Sequence, residues 1–467
     1  MIYLRSNCNL KNYRGIKMDL NTEIRKIVEY QNSILPKHER KSKDALEMII
    51  EEIIKAYEEK TYNFSGFVNI ALKQDDKIRN VKKYEPFSSE EILCIYLKRL
   101  LDKTFHVKYP NRNVYMRGTF DVINALKDMS DFTIFKFDFL NFFNSISSEF
   151  VYYKYLKQQM RERYQSDLLL DFVQNTKYAY AGLNTSNIIC EIIAKKFDEV
   201  LRINMNKKGI IFYKRYIDDG LIIFNQYVSN SECLKLINES IKQVFYSSQI
   251  GNMTKCKTKL NDSKVKYIAK RNLNNIKSEE FDFLGYQFVL KLNNKGKTEI
   301  NFGITQKKID KYTKRINKIV KEYKELHGDM ELMRNQIKAF SHRVVYRVPR
   351  YKTMVWKSKG FISNYCELRN RMDRLTPETK RFLQDVIIKS FANNGVDLPY
   401  FMKSNKQESI YNLYNNMLKY KTLLLVDMIG LDFETLKKLC RQVSIGTNDK
   451  NYNELVREYL IKVKVGH

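Results

Sequence analysis

Histidine and paired cysteine are what this chain has least of. Five histidines occur in 467 residues, none in a His-x-x-x-His or similar pairing, so histidine-based metal or nucleophile chemistry has no pattern to rest on. The seven cysteines, Cys8, Cys94, Cys190, Cys233, Cys256, Cys366 and Cys440, are scattered, odd in number and form no Cys-x-x-Cys. That excludes a disulfide framework and a zinc set from the expectations. No apolar run approaches the ~18 residues of a membrane span. The start, Met1-Ile2-Tyr3-Leu4-Arg5-Ser6-Asn7, lacks a signal-peptide apolar core. The expectation is a cytoplasmic protein with no membrane partner.

Positive charge, by contrast, is abundant. Lys and Arg number 83 against 53 Asp and Glu, a formal charge of +30 spread over the whole length. A surplus of that size suits a long groove for a polyanion, most simply nucleic acid. With 43% hydrophobic residues the chain can bury a sizeable core and divides into two or three domains.

The stretch Tyr216-Ile217-Asp218-Asp219-Gly220 lies between Lys214-Arg215 and the apolar run Leu221-Ile222-Ile223-Phe224. Two short β-type runs meeting there read as a hairpin, with Asp and Gly expected to take the positive φ angles of the turn. Two adjacent carboxylates at a tip repel each other unless a cation lies between them. Hard oxygen ligands suit Mg²⁺, and a pair of such ions roughly 4 Å apart drives in-line phosphoryl transfer. A second acid, Asp138, closes the run Phe132-Thr133-Ile134-Phe135-Lys136-Phe137-Asp138-Phe139, where ionisation is costly without a partner.

Elsewhere the pattern is largely helical. Apolar residues at helical spacing mark Asp44 to Lys60, and Ser88-Ser89-Glu90-Glu91 offers a capping box ahead of a helix from Ile92 to Phe105. Residues 305 to 345 read as a long, basic helical pattern. Thr376-Pro377-Glu378 reads as a helix start, with more helices to the end, interrupted near Asn393-Asn394-Gly395, Gly430 and Gly446.

The residues after Asp138, Leu140-Asn141-Phe142-Phe143-Asn144-Ser145-Ile146, bring a resemblance into view. A strand ending in Asp, then two aromatics and Asn-Ser-Ile, looks like the first catalytic-aspartate block of reverse transcriptases, and Tyr216-Ile217-Asp218-Asp219 looks like their Tyr-x-Asp-Asp block. Ala181-Gly182-Leu183-Asn184-Thr185-Ser186-Asn187 resembles the template-contacting block, although Asn184 replaces the usual Pro of Gly-Leu-Pro. Leu260-Asn261-Asp262-Ser263-Lys264 is similar to the later Leu-Asn-x-x-Lys block, and Phe283-Leu284-Gly285-Tyr286-Gln287-Phe288 to the primer-grip hairpin.

The resemblance implies an α+β right-hand polymerase. Residues 1–87 would be an N-terminal helical part of the fingers, 88–295 fingers and palm, 296–350 a basic thumb, and 351–467 an all-α C-terminal domain. It implies Asp138, Asp218 and Asp219 as catalytic ligands of two Mg²⁺ ions, and dNTPs as substrates. Phe139, Phe143, Gly182, Lys264 and Arg112 would contact the nucleotide, with Phe143 excluding a ribose 2′-hydroxyl; Leu284, Gly285 and Tyr286 would form the primer grip. The compact polymerase with its private C-terminal extension looks most like the bacterial abortive-infection and defence-associated reverse transcriptases. The expected partners are an RNA template or non-coding RNA and a DNA product, with self-assembly through the C-terminal helices. Two other readings stand beside this one: a retroelement enzyme copying its own RNA, and a catalytically silent nucleic-acid-binding scaffold.

Overall fold

The computed structural model describes residues 19–74, 77–246, 253–325, 328–350, 353–403 and 412–465, and over these the protein combines α-helices with four small sheets. Two compact units are each assembled from separated stretches of chain. One takes Met1–Tyr109, Leu140–Val200 and Ser240–Lys259; the other takes Pro110–Phe139, Leu201–Glu239 and Leu260–His467.

The first unit is built around the helix Ser89–Thr104. Every residue from Ile92 to Leu97 is buried, as are Leu100 and Leu101, which is the signature of a helix covered on all sides. Ser88 caps it, accepting from the Glu91 amide at 3.2 Å, while the Glu91 carboxylate accepts from the Phe87 amide at 2.7 Å. The expected capping box therefore forms one residue out of register on its return bond. The helices Leu20–Ser33, Lys43–Glu59 and Arg163–Thr176 pack around this one. A mostly exposed hairpin of β1 (Val68–Gln74) and β2 (Lys77–Lys83) completes the unit's regular β structure among the described residues.

The second unit carries the other sheets. Strands β3 (Thr133–Asp138), β4 (Ile210–Tyr216), β5 (Asp219–Phe224) and β6 (Lys266–Ala269) form an antiparallel sheet in the order β4-β5-β3-β6. Strands β7 (Glu279–Phe283), β8 (Tyr286–Leu292) and β9 (Thr298–Ile304) follow as a meander. The helix Arg112–Ala125 joins the two through Phe120, whose ring stacks on Phe302 and meets Tyr286 and Phe288 edge-on. Ile134, Leu221, Ile223 and Ile268 share the same core.

Two expectations change here. The basic pattern over residues 305 to 345 is two helices, Gln306–Glu325 and Met330–Ser341, and the chain is already extended at Arg343. Asp329 accepts from the Glu331 and Leu332 amides and so caps a fresh helix start. The C-terminal region is also not purely helical. Strands β10 (Arg343–Arg350), β11 (Thr353–Lys359) and β12 (Thr422–Leu425) form a third sheet, with β12 parallel to β10. The reason is local: Leu423 and Leu425 alternate with Thr422 and Leu424, so one face joins Val344 and Tyr346 beneath the helices Phe433–Gln442 and Tyr452–Lys462.

Candidate active site

Strand alternation builds this site. Asp138, Lys136 and Ile134 point to one face of β3, and their cross-strand partners on β5 are Asp219, Leu221 and Ile223. At one end, then, the face is core. At the other it becomes ionic, with Asp138 and Asp219 directly opposite each other and Tyr216 beside Asp219 on β4. Like charges so paired repel, yet Asp138 is 2% exposed.

The hairpin between β4 and β5 turns through Ile217 and Asp218. Its positive φ falls on Ile217, at +59°, and not on Asp or Gly. That pattern, with φ positive at the first central position, belongs to a type II′ turn, where glycine is usual. A β-branched residue there is strained, and such strain persists only where its surroundings over-determine it. Two hydrogen bonds do so. The Phe139 amide donates to the Asp218 carbonyl at 3.2 Å, and the buried Arg215 guanidinium donates to the Ile217 carbonyl at 2.7 Å. Gly220 serves another purpose. A Cβ at that position would lie 2.2 Å from the Phe137 ring, so glycine is there to let the ring cross the strand.

Asp138 is clamped from the far side. Lys264 donates to both its oxygens, at 2.8 and 2.9 Å, and Asn261 adds a side-chain bond at 3.3 Å and a backbone bond to the Asp138 carbonyl at 2.8 Å. The short 3₁₀ turn Asp262–Lys264 and the Phe139–Leu260 bridge place these donors. The Leu-Asn-x-x-Lys stretch is thus a device for gripping the first aspartate. Burial lowers the Lys264 pKa, but its bonds to Asp138 and the charges of Asp138, Asp218 and Asp219 outweigh that and hold it above the ordinary range.

Lys136 is the residue that sequence reasoning passed over. Its ammonium is nearly buried, 3.0 Å from an Asp282 oxygen on β7 and 3.8 Å from an Asp219 oxygen. The signal was present: a lysine two residues before Asp138 on a strand must share its face. Even with Lys136 near, burial pushes the Asp219 carboxyl up to about 7, and Asp138, Asp218 and Asp282 push the same way.

These residues fit a divalent metal in the sense the donor chemistry requires. A carboxyl forced towards its neutral form by burial and three neighbouring acids marks a cluster short of positive charge, and the Lys264 ammonium on Asp138 already occupies the place a cation would take. Among the described residues no three His, Cys, Asp or Glu side chains stand close enough to enclose an ion. Mg²⁺ does not ask for that, since one or two carboxylates plus water and substrate phosphates are its common shell.

The remaining expected residues separate. Phe139, expected at the nucleotide, is 1% exposed and packs edge-on against Phe137, because alternation turns its side chain away from the Asp138 face and into the core. Phe143 lies in the first unit, half-buried beside the fully buried Phe142. Gly182, also there, sits at φ +105°, where a Cβ would meet the Lys82 carbonyl at 2.4 Å. Arg112 has two guanidinium nitrogens committed to the carbonyls of Leu284 and Asn364, at 2.7 and 2.6 Å, and lies over the Tyr286 ring; those bonds hold it where a phosphate contact was expected. Leu284 and Gly285 form the two-residue β7–β8 turn, both at positive φ, and Tyr286 is buried with its hydroxyl on the Asn364 carbonyl at 3.0 Å. No described helix is long and apolar enough to cross a membrane. Set against known proteins, the chain matches no family model and no curated protein sequence.

Proposed function

We propose that this chain is a nucleotidyltransferase of the reverse transcriptase type, a right-hand polymerase that adds dNTPs in RNA-directed or template-independent DNA synthesis, acting in bacterial antiphage defence. The observation that carries the reading is the register that sets Asp219 opposite Asp138 with Asp218 in the two-residue turn beside them. In this reading the β4-β5-β3-β6 sheet is the palm and the basic helices Gln306–Glu325 and Met330–Ser341 belong to the thumb.

Asp138, Asp218 and Asp219 would hold two Mg²⁺ ions, which when bound activate a primer hydroxyl and neutralise a departing pyrophosphate. Lys264 keeps Asp138 oriented, stays protonated at neutral pH and offers its charge to an anionic substrate. Lys136 holds Asp219 towards its ionised form. The family resemblance assigns Phe143 to the selection of deoxyribose.

The experiment is incorporation of labelled dNTPs by the purified protein with Mg²⁺, beside Asp218→Asn and Asp219→Asn variants whose cooperative melting shows that they are folded. Products are run on a denaturing gel with and without RNase and protease. Wild-type DNA that both variants fail to make supports the reading. RNase sensitivity would identify an RNA template or primer, and a protease-dependent shift would identify protein priming. No DNA under any of these conditions would reject a polymerase in favour of a binding scaffold.

A further inference from the structure

The sheet β11-β10-β12 has one face in the core and one that is open along part of its length among the described residues, with Val345 at its buried floor. Val344 and Tyr346 point inward, so Arg343, Val345 and Arg347 point out, joined by their neighbours Trp356 and Ser358 on β11 and Thr422 and Leu424 on β12. All of these but Arg347 line a shallow groove of about 430 Å³, floored by Val345 and Leu424 and flanked by Arg343 and Trp356, with Arg347 beside it against the Trp356 ring. That volume is in the range that takes a nucleotide-sized ligand.

Trp356 is the single tryptophan of the chain and is 47% exposed. Edge strands are ordinarily blunted with lysines, and Lys357 and Lys359 on β11 fit that reading. A large exposed indole on the same strand does the opposite, since it invites association. The ring is also held: the Arg347 guanidinium lies 4.3 Å from its centroid, and Arg343 is held in turn over the Tyr420 ring at 5.1 Å.

Charge selects the partner. From Leu332 to Cys366 the sequence contains eight Lys and Arg and no Asp or Glu. None of Arg343, Arg347, Lys357 and Lys359 pairs with a carboxylate among the described residues. An apolar floor, a fixed aromatic plane and uncompensated cations on a sheet face match what single-stranded nucleic acid needs, namely a stacking platform for a base beside positive charge for its phosphates. A protein partner would have to bring acids, and duplex nucleic acid cannot offer its base faces.

We propose that the outer face of this sheet, centred on Trp356 and Arg347, is a binding site for single-stranded nucleic acid, separate from the carboxylate site and independent of the polymerase reading. A base stacks on Trp356, and Arg343 and Arg347, on the same face, neutralise the flanking phosphates. No covalent step is involved.

Because Trp356 is the only indole, its emission reports the site directly. Full-length protein is titrated with oligo(dT), oligo(U) and a duplex of equal length, reading tryptophan emission together with anisotropy of the labelled oligonucleotide. Quenching by either single strand, weaker at high salt and stronger than with duplex, is the expected result. In anisotropy, Trp356→Ala lowers affinity about tenfold, Trp356→Phe retains most of it, and Arg347→Glu lowers it further and flattens the salt dependence. Melting curves of the three exposed-face variants should match wild type. Oligonucleotide binding that leaves Trp356 emission unchanged, equal quenching by duplex, or undiminished affinity in folded Trp356→Ala and Arg347→Glu would each overturn the proposal.

Discussion

Lys264 donates to both oxygens of Asp138, at 2.8 and 2.9 Å, and is the cation nearest that nearly buried carboxylate. Removing it leaves the carboxylate with Asn261 as its one remaining side-chain donor among the described residues. Lys264→Met should destabilise the metal-free protein by about 1–3 kcal/mol, below the full cost of breaking a buried pair because Lys264 is itself half-exposed. Added Mg²⁺ should then raise the melting temperature of the variant more than that of wild type, since the ion replaces the lost charge. Thermal melts with and without Mg²⁺ check this, and an equal rise in both proteins would mean that the ion does not meet Asp138.

Asp219 gives a dependence on pH with a definite sign. Its carboxyl is raised from 3.8 to about 7 in the folded protein, so between those values the folded state binds more protons than the unfolded one. Stability from this group therefore falls as pH rises through that window, and the cost is fully present above pH 7. Asp219→Asn removes the cost. In the metal-free protein it should be stabilising by on the order of 2 kcal/mol at pH 8, with a smaller gain at pH 5. Denaturant titrations at the two pH values measure the difference; a gain that grows towards acid pH would contradict the assignment.

Gly220 and Phe137 occupy one space. Gly220→Ala drives a methyl group into the ring and should cost about 1–3 kcal/mol, the usual range for overpacking. Phe137→Leu removes the obstacle at its own cost. The double variant should be more stable than the sum of the two single losses predicts, by at least about 0.5 kcal/mol, as contacting residues couple. Strict additivity would show that the backbone, not the ring, reads Gly220.

The apolar β-type run that Asp138 closes, and the two short β-type runs meeting at Asp218-Asp219-Gly220, made the strands, the hairpin and the acid positions legible in the sequence, because they are local facts of strand and turn composition. What was not legible depends on pairing between distant segments. The grip of Lys264 on Asp138 requires the loop 260–264 to lie against the end of β3. The commitment of Arg112 to the Leu284 carbonyl depends on a contact 172 residues away. The strain at Ile217 was misplaced for a related reason: turn propensity favours Asp and Gly, but Gly220 was already taken by packing against Phe137. In the C-terminal region, helix breakers were read as gaps between helices, whereas β10 and β12 find each other across about 70 residues of chain.

Lys136 tests which of two ion pairs matters. It is nearer to Asp282, at 3.0 Å, than to Asp219, at 3.8 Å. Distance alone would rank Asp282 first. Asp282, however, is 59% exposed against 25% for Asp219, and water weakens a pair far more than an extra 0.8 Å does. An exposed pair is worth up to about 1 kcal/mol, and often nothing measurable. Double-mutant cycles at pH 8, where Asp219 is largely ionised, should therefore give on the order of 1–2 kcal/mol for Lys136→Met with Asp219→Asn. The same cycle with Asp282→Asn should give less than about 0.5 kcal/mol and shrink further with salt. If the Asp282 coupling proved the larger, Lys136 would be a strand-to-strand tie between β3 and β7, and the charge on Asp219 would be set chiefly by its burial and by the neighbouring acids.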